Sequence, residues 1–238
     1  AMSVLAANIE NDALSMYKDV SKEVSDVGAA VTVADVLNMG KDLYTSLVPE
    51  DNLSLLLHPQ ANVDLVDALK GLFNAQAALG ENYKKGQVAN NFMGFDKVFQ
   101  NSLMPIHTTG TDDGTGDHKV GAADQVGASI THGSEGSGTI LKGDIVTFAG
   151  TNEVHPETKA DTGRLKQFTV TADMTATATT IAISPSMVLT GPKQNISAAP
   201  TAGGAIIKHE SDRSTAIGNA ADYQISLGYH KDAFAFAT

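Results

Sequence analysis

A chain of 238 residues, 42% of them hydrophobic, can bury one large core or two small ones, and a net charge of −11 excludes a surface built as a whole to hold nucleic acid. The absence of cysteine removes disulfides and thiolate metal sites, and no apolar run reaches the ~20 residues that a membrane-spanning helix needs. A charged fraction of 18% with 22 glycines and many threonines favours turns and strands.

The chain begins directly on a helical pattern. Leu5, Ile9, Ala13, Met16 and Val20 recur every three to four residues, an apolar stripe with Glu10, Asn11, Ser15 and Lys18 off it. After a break at 25–30, Thr32 stands three residues before Asp35, a variant of the capping box, and Val33, Val36, Leu37, Gly40, Leu43, Tyr44 and Leu47 give a second amphipathic helix that ends before Pro49. Leu53-Ser-Leu-Leu-Leu57 is a continuous apolar run, which predicts a strand buried on both faces. Pro59 then starts a helix over about 60–70 with Val63, Leu65, Val66 and Leu69 inward, ended by Gly71. Residues 72–92 are mixed, with helical turns around Ala75–Leu79, and a strand is expected over Gly94–Phe99.

Composition changes at Thr108. From there to Gly138 the sequence is Gly, Thr, Asp, Ser and His, which predicts long loops around one short strand, Ala128–His132. A Lys-Gly-Asp turn at 142–144 launches the strand Ile145–Ala149, closed by Gly150. Two alternating strands follow: Gln167–Thr171, with Phe168 and Val170 on one face, and Thr180–Ser184, with Ile181 and Ile183 on one face. Asn195–Ala198 and Ala205–Ile207 are weaker candidates, and Pro185, Pro192 and Pro200 are expected in turns or on edges. Short strands at this spacing suit an antiparallel sandwich or small barrel. Tyr223–Tyr229 and Ala233–Ala237 return to strand character and are expected to rejoin the sheet begun at Leu53, so that 109–212 reads as an insertion. The abrupt ends read as those of a fragment of a longer protein.

No stretch carries a catalytic pattern. Asp112-Asp113-Gly114-Thr115-Gly116-Asp117-His118 has carboxylates and glycines enough to wrap a hard cation, but calcium-loop spacing and its bidentate glutamate are missing, and a solvated acidic loop is the better reading. The histidines at 58, 107, 118, 132, 155, 209 and 230 form no paired metal motif, and His58 marks a strand end before Pro59. Gly127-Ala-Ser129 is no nucleophile elbow. The glycine-rich stretches Gly114–Gly116 and Gly133–Gly138 precede no helix and lack a phosphate-binding lysine, and Lys18, Lys22, Lys84 and Lys85 are too sparse for a nucleic-acid stripe. No catalytic, cofactor or metal residue is therefore assigned.

The order of motifs resembles the P-22-type coat protein family of tailed phages. The likeness rests on Leu53–Leu57 leading through His58-Pro59-Gln60 into a helix, and on Gly94-Phe95-Asp96 followed by Leu103-Met-Pro105-Ile-His107-Thr108. It continues in Leu141–Gly150 with Phe168-Thr-Val170 and Ile181-Ala-Ile183-Ser-Pro185, and in Asn195-Ile-Ser-Ala198 followed by Tyr229–Phe234. It covers about 50–238, and the first helix is similar to the C-terminal half of the family's long spine helix. The resemblance implies an α+β chain of the Hong-Kong-97 capsid fold, with residues 1–108 and 213–238 as spine and axial region and 109–212 as an inserted antiparallel β-barrel domain. It implies a non-enzymatic coat subunit that assembles into pentamers and hexamers of an icosahedral shell around double-stranded DNA. Scaffolding protein and portal are the implied partners, and the host cytoplasm the implied site of synthesis. The family's N-terminal arm and extended loop would precede Ala1, so this chain alone is expected to be a monomer or small oligomer. The alternatives are a cell-surface adhesion or carbohydrate-binding β-module, weakened by the lack of tryptophan, and a metal-dependent hydrolase using the Asp112–His118 loop.

Overall fold

The computed structural model describes residues 2–24, 30–69, 91–112, 118–133, 136–175, 177–209 and 222–235. The expected end of the third helix at Gly71, the mixed stretch up to residue 90 and the last residues of the expected terminal strand lie outside them. The chain forms two compact units: Ala1–Ser15, Asp26–Ile106 and Tyr223–Thr238 make the first, and Met16–Ser25 with His107–Asp222 the second.

In the first unit, α1 spans Met2–Leu14 and buries none of its residues; Leu5 and Ile9 of the expected stripe are exposed. The stripe's last residues, Met16 and Val20, fall outside the helix, because the chain tightens into a 3-10 turn over Ser15–Asp19 whose buried residue is Tyr17. Helix α2, Val33–Thr45, starts where the sequence places it. The Thr32 hydroxyl accepts from Asp35 N, and the Asp35 carboxylate accepts from Thr32 N at 2.8 Å, a reciprocal box that satisfies two amides at the helix start.

Strand β1, Leu53–Leu57, is the middle of a three-stranded sheet. β2, Lys97–Gln100, runs parallel to it and β12, Leu227–His230, antiparallel. A central strand is covered on both faces, which is why its sequence is apolar without alternation. The last strand does return to Leu53, pairing Leu53 with His230, but residues 231–235 beyond it are not strand. Helix α3, Pro59–Leu69, buries Ala61, Asn62, Leu65 and Leu69. Val63, expected inward, is exposed, because the inward face is centred on Leu65 and the residues one turn to either side of it. Val36, Leu53, Leu55, Leu57, Ala61, Leu65 and Phe95 form this unit's core.

The second unit is built on a curled, half-barrel antiparallel sheet of five strands, β4 (Gly127–Thr131), β6 (Ile145–Val154), β7 (Asp161–Val170), β9 (Thr180–Met187) and β10 (Ile206–Lys208). Their order across the sheet is β10-β6-β7-β9-β4. A short ribbon pairs β5 (Thr139–Ile140) with β8 (Met174–Thr175), and β3 (Ile106–Thr108) pairs with β11 (Asp222–Gln224) where the chain leaves and re-enters the first unit. Register brings apolar residues opposite one another: Ile206 with Phe148, Val146 with Phe168, Val170 with Ile183, and Ile181 with Ile130. All eight are buried, and the Phe148 and Phe168 rings meet edge to face at 5.6 Å. Phe168, Val170, Ile181 and Ile183 thus share the faces that their alternation gives them.

Pro185 departs from expectation. It lies inside β9, between β7 and β4, rather than in a turn. The strand tolerates it because the β7 pairing stops at Ser184 and the β4 pairing is irregular between Ala182 and Met187, so no ladder bond is asked of the missing N–H.

Backbone crowding fixes Gly110 in this unit. A Cβ on Gly110 would stand 2.0 Å from the Thr139 carbonyl oxygen. That approach carries the bond from Asp112 N to Thr139 O at 3.0 Å. Gly110→Ala is expected to push these segments apart and lower stability by about 2–4 kcal/mol in urea denaturation, whereas Gly40→Ala inside α2, where an added Cβ meets nothing nearer than Met93 O at 3.9 Å, should cost nothing and raise stability by up to about 1 kcal/mol.

Candidate functional site

The Lys-Gly-Asp turn is the start of a cluster of buried polar side chains in the second unit. Leu141 O accepts from Asp144 N at 3.1 Å, closing a turn, and Gly143 takes the positive φ of 101° that the third position of a type II turn requires. The turn aims the Asp144 carboxylate inward, where it is wholly buried. Oδ2 accepts from Leu141 N at 2.7 Å and Gly110 N at 2.9 Å, and Oδ1 accepts from His107 Nε2 at 2.8 Å. Three donors converge on one buried anion, as its burial demands.

His107 faces the carboxylate with Nε2, so that nitrogen carries the proton and Nδ1 is the acceptor. The Tyr17 hydroxyl donates to Nδ1 at 2.8 Å, the rings meeting edge to face. Lys208, also buried, donates to Gly110 O at 2.8 Å.

Carboxylate, imidazole and hydroxyl in a row have the form of a catalytic relay. The chemistry points the other way. Burial, and then the negative charge of Asp144, push the Tyr17 phenol up to about 12. A relay hydroxyl must give up its proton more readily than usual, and this one holds it more tightly. The cluster orders a turn and anchors Tyr17.

Tyr17 belongs to Met16–Ser25, a strap that packs with the second unit although its flanking residues belong to the first. The Gln167 side-chain amide acts as a rung of a β-ladder for it, accepting from Glu23 N at 2.9 Å and donating to Glu23 O at 3.1 Å. The Thr169 hydroxyl donates to Val20 O. Lys22 meets Glu153 at 2.6 Å, and the same carboxylate takes Lys166 at 2.9 Å and Arg164 at 3.4 Å. Burial pushes the Glu153 carboxyl up, but hydrogen bonds and charge from Lys22 and Lys166 outweigh it, and the net shift is downward.

Of the acidic stretch 112–118, only the two ends lie among the described residues, and these depart from the solvated reading. Its described ends, Asp112 and His118, are buried, and His132 joins them from β4's end. His132 Nδ1 donates to Ala178 O at 2.7 Å, so its Nε2 accepts from His118 Nδ1 at 2.9 Å, and His118 Nε2 stands 3.5 Å from Asp112 Oδ1. Among the described residues no group of three or more acidic or histidine side chains is arranged to hold a metal ion. His58, His155 and His230 share a humbler task. Each accepts through Nδ1 from the amide two residues on, at Gln60, Glu157 and Asp232, pinning a local turn. Burial pushes the His58 imidazolium down, which keeps that acceptor available.

A family model described as "P22 coat protein - gene protein 5" matches residues 2–234. The chain belongs to the P22 coat protein family. This is a structural capsid family and not an enzyme family, so the role of the chain is structural, in the coat of a phage virion. Among solved structures, the CUS-3 coat protein I-domain is similar at 26% identity with a TM-score of 0.30, over 39% of this chain and 94% of that one. No curated protein sequence matches. No helix among the described residues is long and apolar enough to cross a membrane.

Glu153→Gln is expected to lower stability by about 1 kcal/mol at pH 7. Because the folded-state carboxyl is depressed, its contribution is complete above the unfolded carboxylate range and is lost as pH falls through the folded value. Denaturation midpoints of the two proteins should therefore converge in acid; a gap that widens as pH falls would contradict the assignment.

Proposed function

We propose that this protein is a major coat subunit of the Hong-Kong-97 fold, in which residues 1–108 and 213–238 supply the spine and axial region and 109–212 an inserted β-barrel domain. Many copies form pentamers and hexamers and close an icosahedral shell around packaged double-stranded DNA. Assembly takes place in the bacterial cytoplasm with a scaffolding protein and a portal. The observation that carries the reading is the family match over 2–234.

Physical features support it. Two separate hydrophobic cores suit a host fold carrying a module that orders itself. A net charge of −11 favours a wall that does not grip DNA, which packing and release both require. The alternative of a carbohydrate-binding β-module gains nothing, since the large aromatics of the second unit's sheet, Phe148 and Phe168, are in the core.

Co-expression of the complete gene with that of its scaffolding protein, examined by negative-stain electron microscopy, should yield closed shells of uniform size. Soluble monomers under every condition would overturn the proposal.

A further inference from the structure

We infer that residues 16–24 are a releasable clasp, a segment that detaches from the second unit as one piece while the β core beneath it stays folded.

The inference rests on what holds the strap. Among its described residues, 16–24, Tyr17 alone is buried. Its attachments include four directional ones: the Gln167 amide on Glu23, the Thr169 hydroxyl on Val20 O, Lys22 on Glu153, and the Tyr17 hydroxyl on His107. Each exchanges for water when the strap lifts, and Tyr17 is the one buried side chain that release uncovers among residues 16–24. The hydrophobic cluster of the second unit includes no residue of the strap. Its buried members run from Val120 to Ile206, and its strands pair through their own backbones. Elements joined by few apolar contacts open at low free energy, below that of global unfolding.

Position gives the release a consequence. The strap lies between α1, which ends at Leu14, and α2, which begins at Val33. The nine described residues, 16–24, drawn out of their docked path, span up to about 30 Å of chain. The clasp is therefore a store of slack between two helices, held by contacts that reform without refolding anything else.

Hydrogen exchange on the full chain, with limited trypsin digestion, tests this. In the wild-type protein the Glu23 amide should exchange at least about tenfold faster than those of Val146 and Val170. In the Gln167→Ala/Thr169→Val variant, cleavage after Lys18 and Lys22 should accelerate about tenfold, because proteolysis follows the open population, while Val146 and Val170 keep their protection. Equal protection of Glu23 and the core amides in the wild type would overturn the inference. So would cleavage that is unchanged, or that rises only together with loss of core protection. The wild-type exchange comparison decides the matter even if the variant does not fold.

Discussion

A buried carboxylate is the constraint on which the second unit depends. An unpaired charge at the site of Asp144 would cost several kcal/mol, so the surrounding chain has to deliver donors to it. Gly143 lets the turn close so that Leu141 N points back at the carboxylate, and a Cβ there would meet His107 Cε1 at 2.8 Å. Gly110 brings its own N–H to Oδ2 and its carbonyl to Lys208. His107, at the point where the chain enters the unit, closes the set and is itself oriented by Tyr17. Segments far apart in sequence are thus fixed against one residue, and β6 leaves that point already aligned with β7, through the bond from Val170 N to Asp144 O at 2.9 Å.

The same cluster shows why polar burial should not be equated with catalysis. Its atoms have the order of a relay, but the phenol is harder to deprotonate than in water and the carboxylate is fully engaged in bonds to backbone and ring. Such a network gives specificity of geometry rather than turnover. That agrees with a family whose members build coats. The functional demand on a coat subunit is a surface held in a defined shape, and the second unit meets it with a sheet whose opposed residues interdigitate across register.

Much of this was legible in the residues. Thr32 and Asp35 announced a helix start, Leu53–Leu57 a central strand, Pro59 a first helical position, and the alternation at 168–170 and 181–183 the buried faces. The order of these motifs carried the family. What escaped depended on long-range pairing. The period at Leu5–Val20 says nothing of where a helix stops if residues beyond Leu14 find partners elsewhere, as Tyr17 does in His107. Pro185 inside β9 is invisible until the neighbouring pairings are known to lapse there. Asp112 and His118 read as solvated because polarity is local, whereas their burial is set by His132 and the segments around it. Asp144 left one trace, an acidic residue following Lys-Gly and heading straight into an apolar strand, where nothing in the sequence names its donors.

The most direct test of this account is a double-mutant cycle between Asp144 and His107, measured by urea denaturation of the full chain. Asp144→Asn, His107→Gln and the double variant should show a coupling of at least about 1.5 kcal/mol, because each substitution removes the charge-assisted bond that the other partner needs. Additivity within about 0.5 kcal/mol would mean that the two groups do not depend on each other, and that the second unit is organised around something other than its buried carboxylate.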